Sequence, residues 1–470
     1  MNRRPDRRRS GSRRTAGRGG STHQQDRTRR LPRNAPPVEL EISHIGGRGD
    51  GVGKADYTHN YITAEHSFFV PATLPGERVI AQPLSISGQG IRTVPSEILT
   101  VSKDRRDPDC QAFPACGGCS FQHWRDESAT AWKEQLVTGF LGRAGVALPD
   151  FTPPHVSPRA ARRRATFHLK RLASGVAAGF LERGSDRIIA PEGCSVLAPE
   201  LMQLLTSLAD LGADRFPIGL TIDAQVNCLD NGICVLLRGP DGWHDGLLEI
   251  LAGWAANAGL ARLSVAESRG AEDNGEPLTL LAPAPPVLRF GPIAVTPPPG
   301  AFLQATRDAE ATLQAAVARI CAGAGRVIDL FAGCGTLSLP LLPGLSYLLV
   351  AESNRAALAA LKGAVDAAGL GAQLDCLEAD LMRAPIVAAK LDEVDAVIVD
   401  PPRAGAAAQC EQLAASRVPL IAMVSCNPAS FARDAATLVG GGYRLDSLRV
   451  IDQFRFASHV ELVAGFRRDT

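Results

Sequence analysis

Two short segments near the C-terminus place reactive side chains beside apolar runs. Ser425-Cys426-Asn427-Pro428 follows Leu420–Val424, so a thiol stands at the end of a buried strand. His459-Val460-Glu461 opens Leu462–Phe466, so a carboxylate stands at the start of another. A thiolate adds to electron-poor carbon, and a carboxylate from a separate segment can collect the proton that the adduct must lose. Taken singly, Cys426 reads as core packing and Glu461 as a surface acid on an edge strand. The pair, in this order within one α/β region, favours nucleophile and general base, with His459 the next candidate for the proton. A second set of thiols lies upstream: Cys110-x5-Cys116-Gly-Gly-Cys119 gathers three in ten residues around a tight glycine loop. Completed by a fourth cysteine, such a set suits a [4Fe–4S] cluster or tetrahedral zinc, and spacing leaves both open. Cys228, Cys234, Cys321, Cys334, Cys376 and Cys410 show no such arrangement and read as packing.

The elements that must position Cys426 and Glu461 form a regular alternation from Ala301 onward. Strands are expected over 327–331, 347–351, 396–400 and 420–425, with helical segments such as 355–368 between them. That is the pattern of a mostly parallel, doubly wound sheet. The first strand runs into Gly333-Cys334-Gly335, where small residues let a ligand approach the backbone and a following helix would offer free N–H groups. Glu352 ends the second strand seventeen residues after Gly335, where a carboxylate can accept both hydroxyls of a ribose. Asp380, near the end of the third, suits an adenine contact. The third glycine of the dinucleotide fingerprint is missing. With Asp329, Glu352, Asp380 and Asp400 each at or near a strand's C-terminal end, the set resembles the S-adenosylmethionine site of class I methyltransferases. The rival assignment makes these acids helix caps.

The fourth and fifth strands end in Asp400-Pro-Pro-Arg-Ala-Gly405 and Val424-Ser-Cys-Asn-Pro-Ala429, both at the ligand crevice of such a sheet. Amine-methylating enzymes with a similar fourth-strand motif carry an aromatic residue where Arg403 stands. RNA cytosine-5 methyltransferases usually carry cysteines in both motifs, and only the fifth-strand motif has one here, which favours uracil. The chemistry accounts for that cysteine. Carbon 5 of a pyrimidine is a poor nucleophile until a thiolate adds to carbon 6 and turns the ring into an enolate.

Upstream of this region the pattern changes. Short alternating segments at 38–42, 61–63, 68–70, 78–80 and 96–101, parted by turns such as Gly46-Gly-Arg-Gly-Asp-Gly51, read as a small β-barrel of OB type over 37–102. Residues 103–300 read as a central α+β region with the cysteine loop and a helix over 127–141, and 301–470 as the α/β domain. Residues 1–36 read as a disordered arginine-rich tail. Its first 33 residues hold twelve arginines, no lysine and two aspartates, a net +10, so the rest of a chain with net charge +1 carries about −9. Such a tail is either an arm for a phosphate backbone or a passive solvated segment. No stretch of the 470 residues approaches the ~18 apolar residues of a membrane span, and the N-terminal arginines precede no apolar segment of a secretory signal. Eleven cysteines without an export signal lead us to expect a reducing, cytoplasmic setting and no membrane partner.

Taken together, these motifs resemble the bacterial 23S ribosomal RNA (uracil-5-)-methyltransferase family, the iron–sulfur kind, related to the tRNA uracil-5-methyltransferases. The resemblance spans residues 38–470. It implies a TRAM barrel, matched by Val70-Pro-Ala-Thr-Leu-Pro-Gly-Glu77, and a class I (Rossmann-like) domain that binds S-adenosylmethionine. It implies cofactor contacts from Gln304, in Pro299-Gly-Ala-Phe-Leu-Gln304, and from Phe331, Thr336, Glu352 and Asp380. Asp400 takes the pyrimidine and cofactor contact, Cys426 the nucleophile's place and Glu461 the base's. The resemblance adds Cys194, in Glu192-Gly-Cys-Ser-Val-Leu-Ala-Pro199, as fourth ligand beside Cys110, Cys116 and Cys119, and favours [4Fe–4S] over zinc. Thr336 stands where an Asn is familiar, and Phe454-Arg-Phe-Ala-Ser-His459 replaces the usual Phe-Pro-(His/Gln)-Thr-x-His. The expected reaction is methylation of carbon 5 of one uridine in structured RNA, its base turned out of the stack. Ribosomal RNA is favoured because the tRNA enzymes of this group generally lack the cluster cysteines. The rivals are RNA cytosine-5 methylation, tRNA uracil-5 methylation, and an RNA-binding or chaperone module with a vestigial domain.

Overall fold

A computed structural model describes residues 28–59, 61–149, 151–211, 216–239, 243–268 and 275–468. Most of the arginine-rich tail, residues 1–27, lies outside the described residues.

The C-terminal sheet sets the frame. Its strands are β1 (Arg326–Leu330), β2 (Tyr347–Glu352), β3 (Leu374–Glu378), β4 (Ala396–Val399), β5 (Leu420–Ser425), β6 (Tyr443–Asp452) and β7 (Glu461–Arg468). They stand in the order β3-β2-β1-β4-β5-β7-β6, with the first five parallel and β7 antiparallel between β5 and β6. Unbroken apolar runs allow this, because both faces are covered: Ile398 and Val424 pack on one face, Val397 and Met423 on the other. Helices Arg307–Ile320 and Arg355–Ala367 supply the first face's cover, and Ala407–Ala415 and Pro428–Gly440 the second's. The strand order reverses between β1 and β4, which opens a crevice at the carboxyl ends of the strands.

Segments from far upstream complete this layer. Helix Asp126–Arg143 sends Val137 and Leu141 into the core beside Phe431 and Leu438. His155–Val156 pairs in parallel with Ile451 and Asp452 along the outer edge of β6. The hairpin of Leu288–Phe290 and Ile293–Val295 enters the core of the opposite face. The central region expected over 103–300 is thus divided. Its helix and outlying strands pack with the C-terminal layer, and a seven-stranded sheet between Arg164 and Leu281 packs with helices Pro199–Ala209 and Asp245–Asn257.

The N-terminal barrel is built from Val38–Ile45, Gly51–His59, Ile62–Val70, Arg78–Ser87 and Gly90–Thr100. The segments expected at 61–63 and 68–70 are one strand, and Gly51–His59 pairs along its whole length. Glycines masked that strand: a Cβ at Gly51 or Gly53 would collide with Thr73 or with the Glu41 carbonyl. Arg29–Arg30 adds a short strand against Ile86 and Ser85, and Ala35 is buried. The tail expected to be disordered through residue 36 therefore joins the fold from Arg29.

Candidate active site

β4 and β5 end side by side, and the turns that follow them are tied together. Asn427 caps helix Pro428–Gly440 by accepting from Ala429 N (3.1 Å), while its Nδ2 donates to the Arg403 carbonyl (2.9 Å). Ser430 Oγ donates to the same carbonyl at 3.1 Å. Cys426 is thereby held between a strand end and a helix cap. Glu461 opens β7, and because β7 lies inside the sheet, the position is an interior one and not an edge: the side chain is 4% exposed. Burial pushes the Cys426 thiol up to about 11, with Glu461 and Asp400 adding to the rise and Arg403 opposing it. Burial, then the nearby Asp400, lifts the Glu461 carboxyl well above the usual range, while Gln453 and Arg164 act the other way. Asp400 is raised by burial as well. The three groups from three neighbouring strand ends thus share one site.

Two of its members were not singled out in the sequence. Arg164 opens the strand Arg164–Leu172 of the central sheet and lies over the Phe302 ring at 4.4 Å. Burial and Arg162 depress its guanidinium to about 10, and the charges of Glu461 and Cys426 draw it back up. The run Arg162-Arg163-Arg164 at a strand start was the available signal. Gln453, just past β6, had none. Its Nε2 donates to Gln304 Oε1 (2.7 Å) and to Glu461 Oε2 (3.0 Å), joining the two candidates through one side chain.

The cofactor candidates surround the end of β1. Phe331 adopts φ 62, Gly333 φ 56 and Gly335 φ 86, so the chain turns back sharply after the strand. Gly333 N donates to Glu352 Oε2 (2.9 Å), and Glu352 Oε1 accepts from Asn354 N (2.7 Å). No atom lies within 4 Å of a Cβ built on Gly333, whereas Gly335 is pressed against Leu339 and Leu361. The first glycine leaves room for a ligand at the backbone, and the second serves packing. Beneath the loop, burial pushes Asp329 up to about 7, with Asp400 and Glu352 adding to the effect. The helix expected after Gly335 is replaced by successive turns over 333–341 and a 3-10 turn at Leu342–Gly344. Pro340 and Pro343 lack the N–H groups that an α ladder requires. Asp380 is exposed just past β3 and accepts from Met382 N at 3.1 Å. Thr336 is half-buried, and its carbonyl accepts from Gln314 Nε2 at 2.9 Å.

Cys110, Cys116, Cys119 and Cys194 line one cavity of about 570 Å³. Gln122 Nε2 donates to Cys119 Sγ at 3.3 Å, and burial pushes that thiol up to about 12. Among the described residues, no group of three or more His, Cys, Asp or Glu side chains is gathered to hold a metal ion. Four cysteine thiols around one cavity are the donor set of a tetrahedral zinc ion or of a [4Fe–4S] cube, which binds each sulfur through a different iron.

Cys426 opens onto a second cavity, of about 450 Å³, lined also by Arg48 of the barrel, Ser120, Phe140, Arg183 and Arg403. Residues 378–466, which carry Asp400, Cys426 and Glu461, match the family model described as tRNA (Uracil-5-)-methyltransferase. The chain is 33% identical to the 23S rRNA (uracil(1939)-C(5))-methyltransferase of Chromohalobacter salexigens, over 96% of this chain and 92% of that protein. The chain belongs to the RNA (uracil-5-)-methyltransferase family. An uncharacterized RNA methyltransferase of Brucella suis is 35% identical over 91% of this chain and 97% of its own length. The fold matches that of Pyrococcus abyssi tRNA (uracil-54, C5)-methyltransferase, solved with S-adenosyl-L-homocysteine, at TM-score 0.69 and 20% identity, covering 91% of this chain and 99% of that one. The methyltransferase combines a class I α/β domain with an N-terminal five-stranded barrel. Among its described residues, no helix is long and apolar enough to cross a membrane.

Proposed function

We propose that the methyltransferase transfers a methyl group to carbon 5 of one uridine in structured RNA, through an adduct between Cys426 and carbon 6. It acts in the cytoplasm, with ribosomal RNA the favoured substrate. The observation that carries this is the meeting of Cys426, Glu461 and Asp400 at the ends of β5, β7 and β4. S-adenosylmethionine, when bound, supplies an electrophilic methyl group on a sulfonium sulfur. The Cys426 thiolate adds to carbon 6, and the ring electrons collect as an enolate whose carbon 5 accepts that methyl group. Glu461 then takes the proton from carbon 5. The C5–C6 double bond re-forms, and the C6–S bond breaks to return the thiolate. Arg403, which lowers the thiol's cost of ionisation, and Arg164, which does the same for Glu461, favour the reactive forms.

Ribosomal RNA is favoured by the Chromohalobacter relative, which its name gives as a 23S rRNA enzyme. Arg48, Arg183 and Arg403 at the Cys426 cavity suit the phosphates that flank an extruded nucleotide. Cys110, Cys116, Cys119 and Cys194 would hold a [4Fe–4S] cluster, which supplies a covalent brace between the glycine loop and the segment around Cys194. The deciding experiment is mass-spectrometric nucleoside mapping of ribosomal and transfer RNA from a strain lacking the gene. Loss of a single 5-methyluridine from 23S rRNA is expected. Loss from tRNA would move the substrate, loss of 5-methylcytidine would change the base, and an unaltered profile would overturn the assignment.

A further inference from the structure

Gln453 is 2% exposed and spends every polar contact on the site. Its Oε1 accepts from the Ala305 backbone N–H at 2.6 Å, and its Nε2 donates to Gln304 Oε1 at 2.7 Å and Glu461 Oε2 at 3.0 Å. The backbone donor settles which way this amide points. A flipped Gln453 would set its NH2 against the Ala305 N–H, donor against donor, and its oxygen against the Glu461 carboxylate. Gln453 can therefore only donate to Glu461. A donated hydrogen bond favours the ionised carboxylate, which is the form that can take a proton. The same amide donates to the Gln304 oxygen, so Gln453 links Gln304 to Glu461.

We infer that Gln453 is a positioning residue for proton abstraction, aiming Glu461 at carbon 5 and favouring its ionised form while tying it to Gln304. The inference rests on Glu461 being the base. Other groups face Glu461 as well: Asp400 from the turn after β4, Cys426 from the end of β5 and Arg164 from the central sheet. Asp400 and the Cys426 thiolate oppose ionisation and Arg164 favours it, which leaves Gln453 as the neutral group that both orients the carboxylate and favours its charged state.

The test compares Gln453→Leu, Gln453→Asn and Glu461→Gln in the full-length enzyme with target RNA and S-adenosylmethionine. Gln453→Leu keeps the volume and loses the donor. Its kcat should fall roughly 10- to 100-fold, the scale of a lost hydrogen bond to a charged group. The acid limb of its pH–rate profile should move to higher pH, and a methylated enzyme–RNA adduct should build up on denaturing gels. KM for RNA should stay within about threefold of wild type, because no RNA contact is removed. Gln453→Asn keeps the donor on a shorter stem and should restore part of the pH profile. A Gln453→Leu enzyme with wild-type kcat and pH profile overturns the inference, as does one that loses activity with no shift and no adduct. Adduct in Glu461→Gln but none in Gln453→Leu would sink this role and leave the base in place. Normal turnover in Glu461→Gln would remove the base assignment itself, and this inference with it.

Discussion

Ser120, the residue after Cys119, donates its backbone N–H to the carbonyl oxygen of Phe456 at 2.6 Å, and Phe121 donates to the same oxygen at 2.9 Å. The cysteine loop and the segment leading into Glu461 are therefore one connected piece of structure. Phe456 adopts φ 63, a conformation that costs a non-glycine residue of order 1–3 kcal/mol and persists only when its surroundings impose it. Here they do. The guanidinium groups of Arg106, Arg159 and Arg455 lie 5.7, 5.7 and 5.3 Å from the ring centre, and Arg455 also donates to the Ser157 carbonyl. The departure from the family's usual Phe-Pro-(His/Gln)-Thr pattern is accommodated by this cage.

The first prediction concerns the thiols behind that cage. Anaerobically purified enzyme should be brown with about four irons, and Cys116→Ser should lose them. Cys334→Ser should keep its iron, because that side chain is buried in the turn after β1. Iron analysis and visible absorption provide the check, and a colourless protein with one zinc would contradict it. In the iron-free variant, amide exchange at residues 454–459 should quicken, since the Ser120 and Phe121 donors lose their brace.

The two catalytic roles predict different arrests. Cys426→Ala should bind RNA yet neither crosslink nor methylate it, because no enolate forms. Glu461→Gln keeps shape but cannot accept a proton, so addition and transfer proceed and elimination stalls. Denaturing gels should then show an enzyme–RNA band that already carries the methyl group. RNA with 5-fluorouridine at the target should trap the wild type in the same way. Residual methylation by Cys426→Ala would overturn the mechanism, while normal turnover by Glu461→Gln would point to His459.

Acidity supplies a third test. In the proposed mechanism Glu461 acts as carboxylate and Cys426 as thiolate, and both are raised above their ordinary values. A raised group holds its proton to higher pH, so the reactive forms are lost as pH falls through the raised values. In a single turnover, the rate of release of free methylated RNA should therefore climb from pH 6 through pH 8, with the steps belonging to the coupled set and not to one residue. Arg164→Met removes a charge that favours the ionised carboxylate and should move this limb to higher pH by roughly one unit. A limb centred near pH 4–5 would show that Glu461 titrates as an ordinary carboxylate and is not the limiting base.

The fourth prediction is about stability. Lys133 Nζ, buried in helix Asp126–Arg143, donates to Asp452 Oδ1 at 2.6 Å and to the Phe454 carbonyl at 3.2 Å. Lys133→Met strands the Asp452 carboxylate in the interior and should cost about 3–5 kcal/mol, read as a fall in Tm. Removing both charges, with Lys133→Met and Asp452→Leu together, should recover most of that loss. A double variant as unstable as the single one would show that packing and not charge decides the site.

Some of this was legible in the chain and some was not. β4 and β5 stand out because each is an unbroken apolar run ended by a polar turn, so Asp400 and Cys426 could be placed at strand ends. The interior position of Glu461 could not be read, because the same apolar run would serve an edge strand; only the pairing of β7 with both β5 and β6 decides it. Helix Asp126–Arg143 was visible, yet its partner Phe431 lies far along the chain, and periodicity says nothing about which core a helix joins. Gln453 illustrates the limit most plainly: a single amide has no pattern, and its importance lies in three contacts that only the fold creates.

The pairing of His155–Val156 with the edge of β6 also constrains how the molecule is made. Beside it, Arg449 Nε donates to the Pro153 carbonyl across 296 positions of chain. At a synthesis rate of about 5–20 residues per second, the upstream segment waits roughly 15–60 s for its partner to leave the ribosome. Throughout that interval Val137 and Leu141 lack their final cover, so the nascent chain carries an apolar helix face that the barrel does not hide. The catalytic layer cannot be completed before β6 and β7 have been made, and a chain interrupted before them has no Glu461 to place.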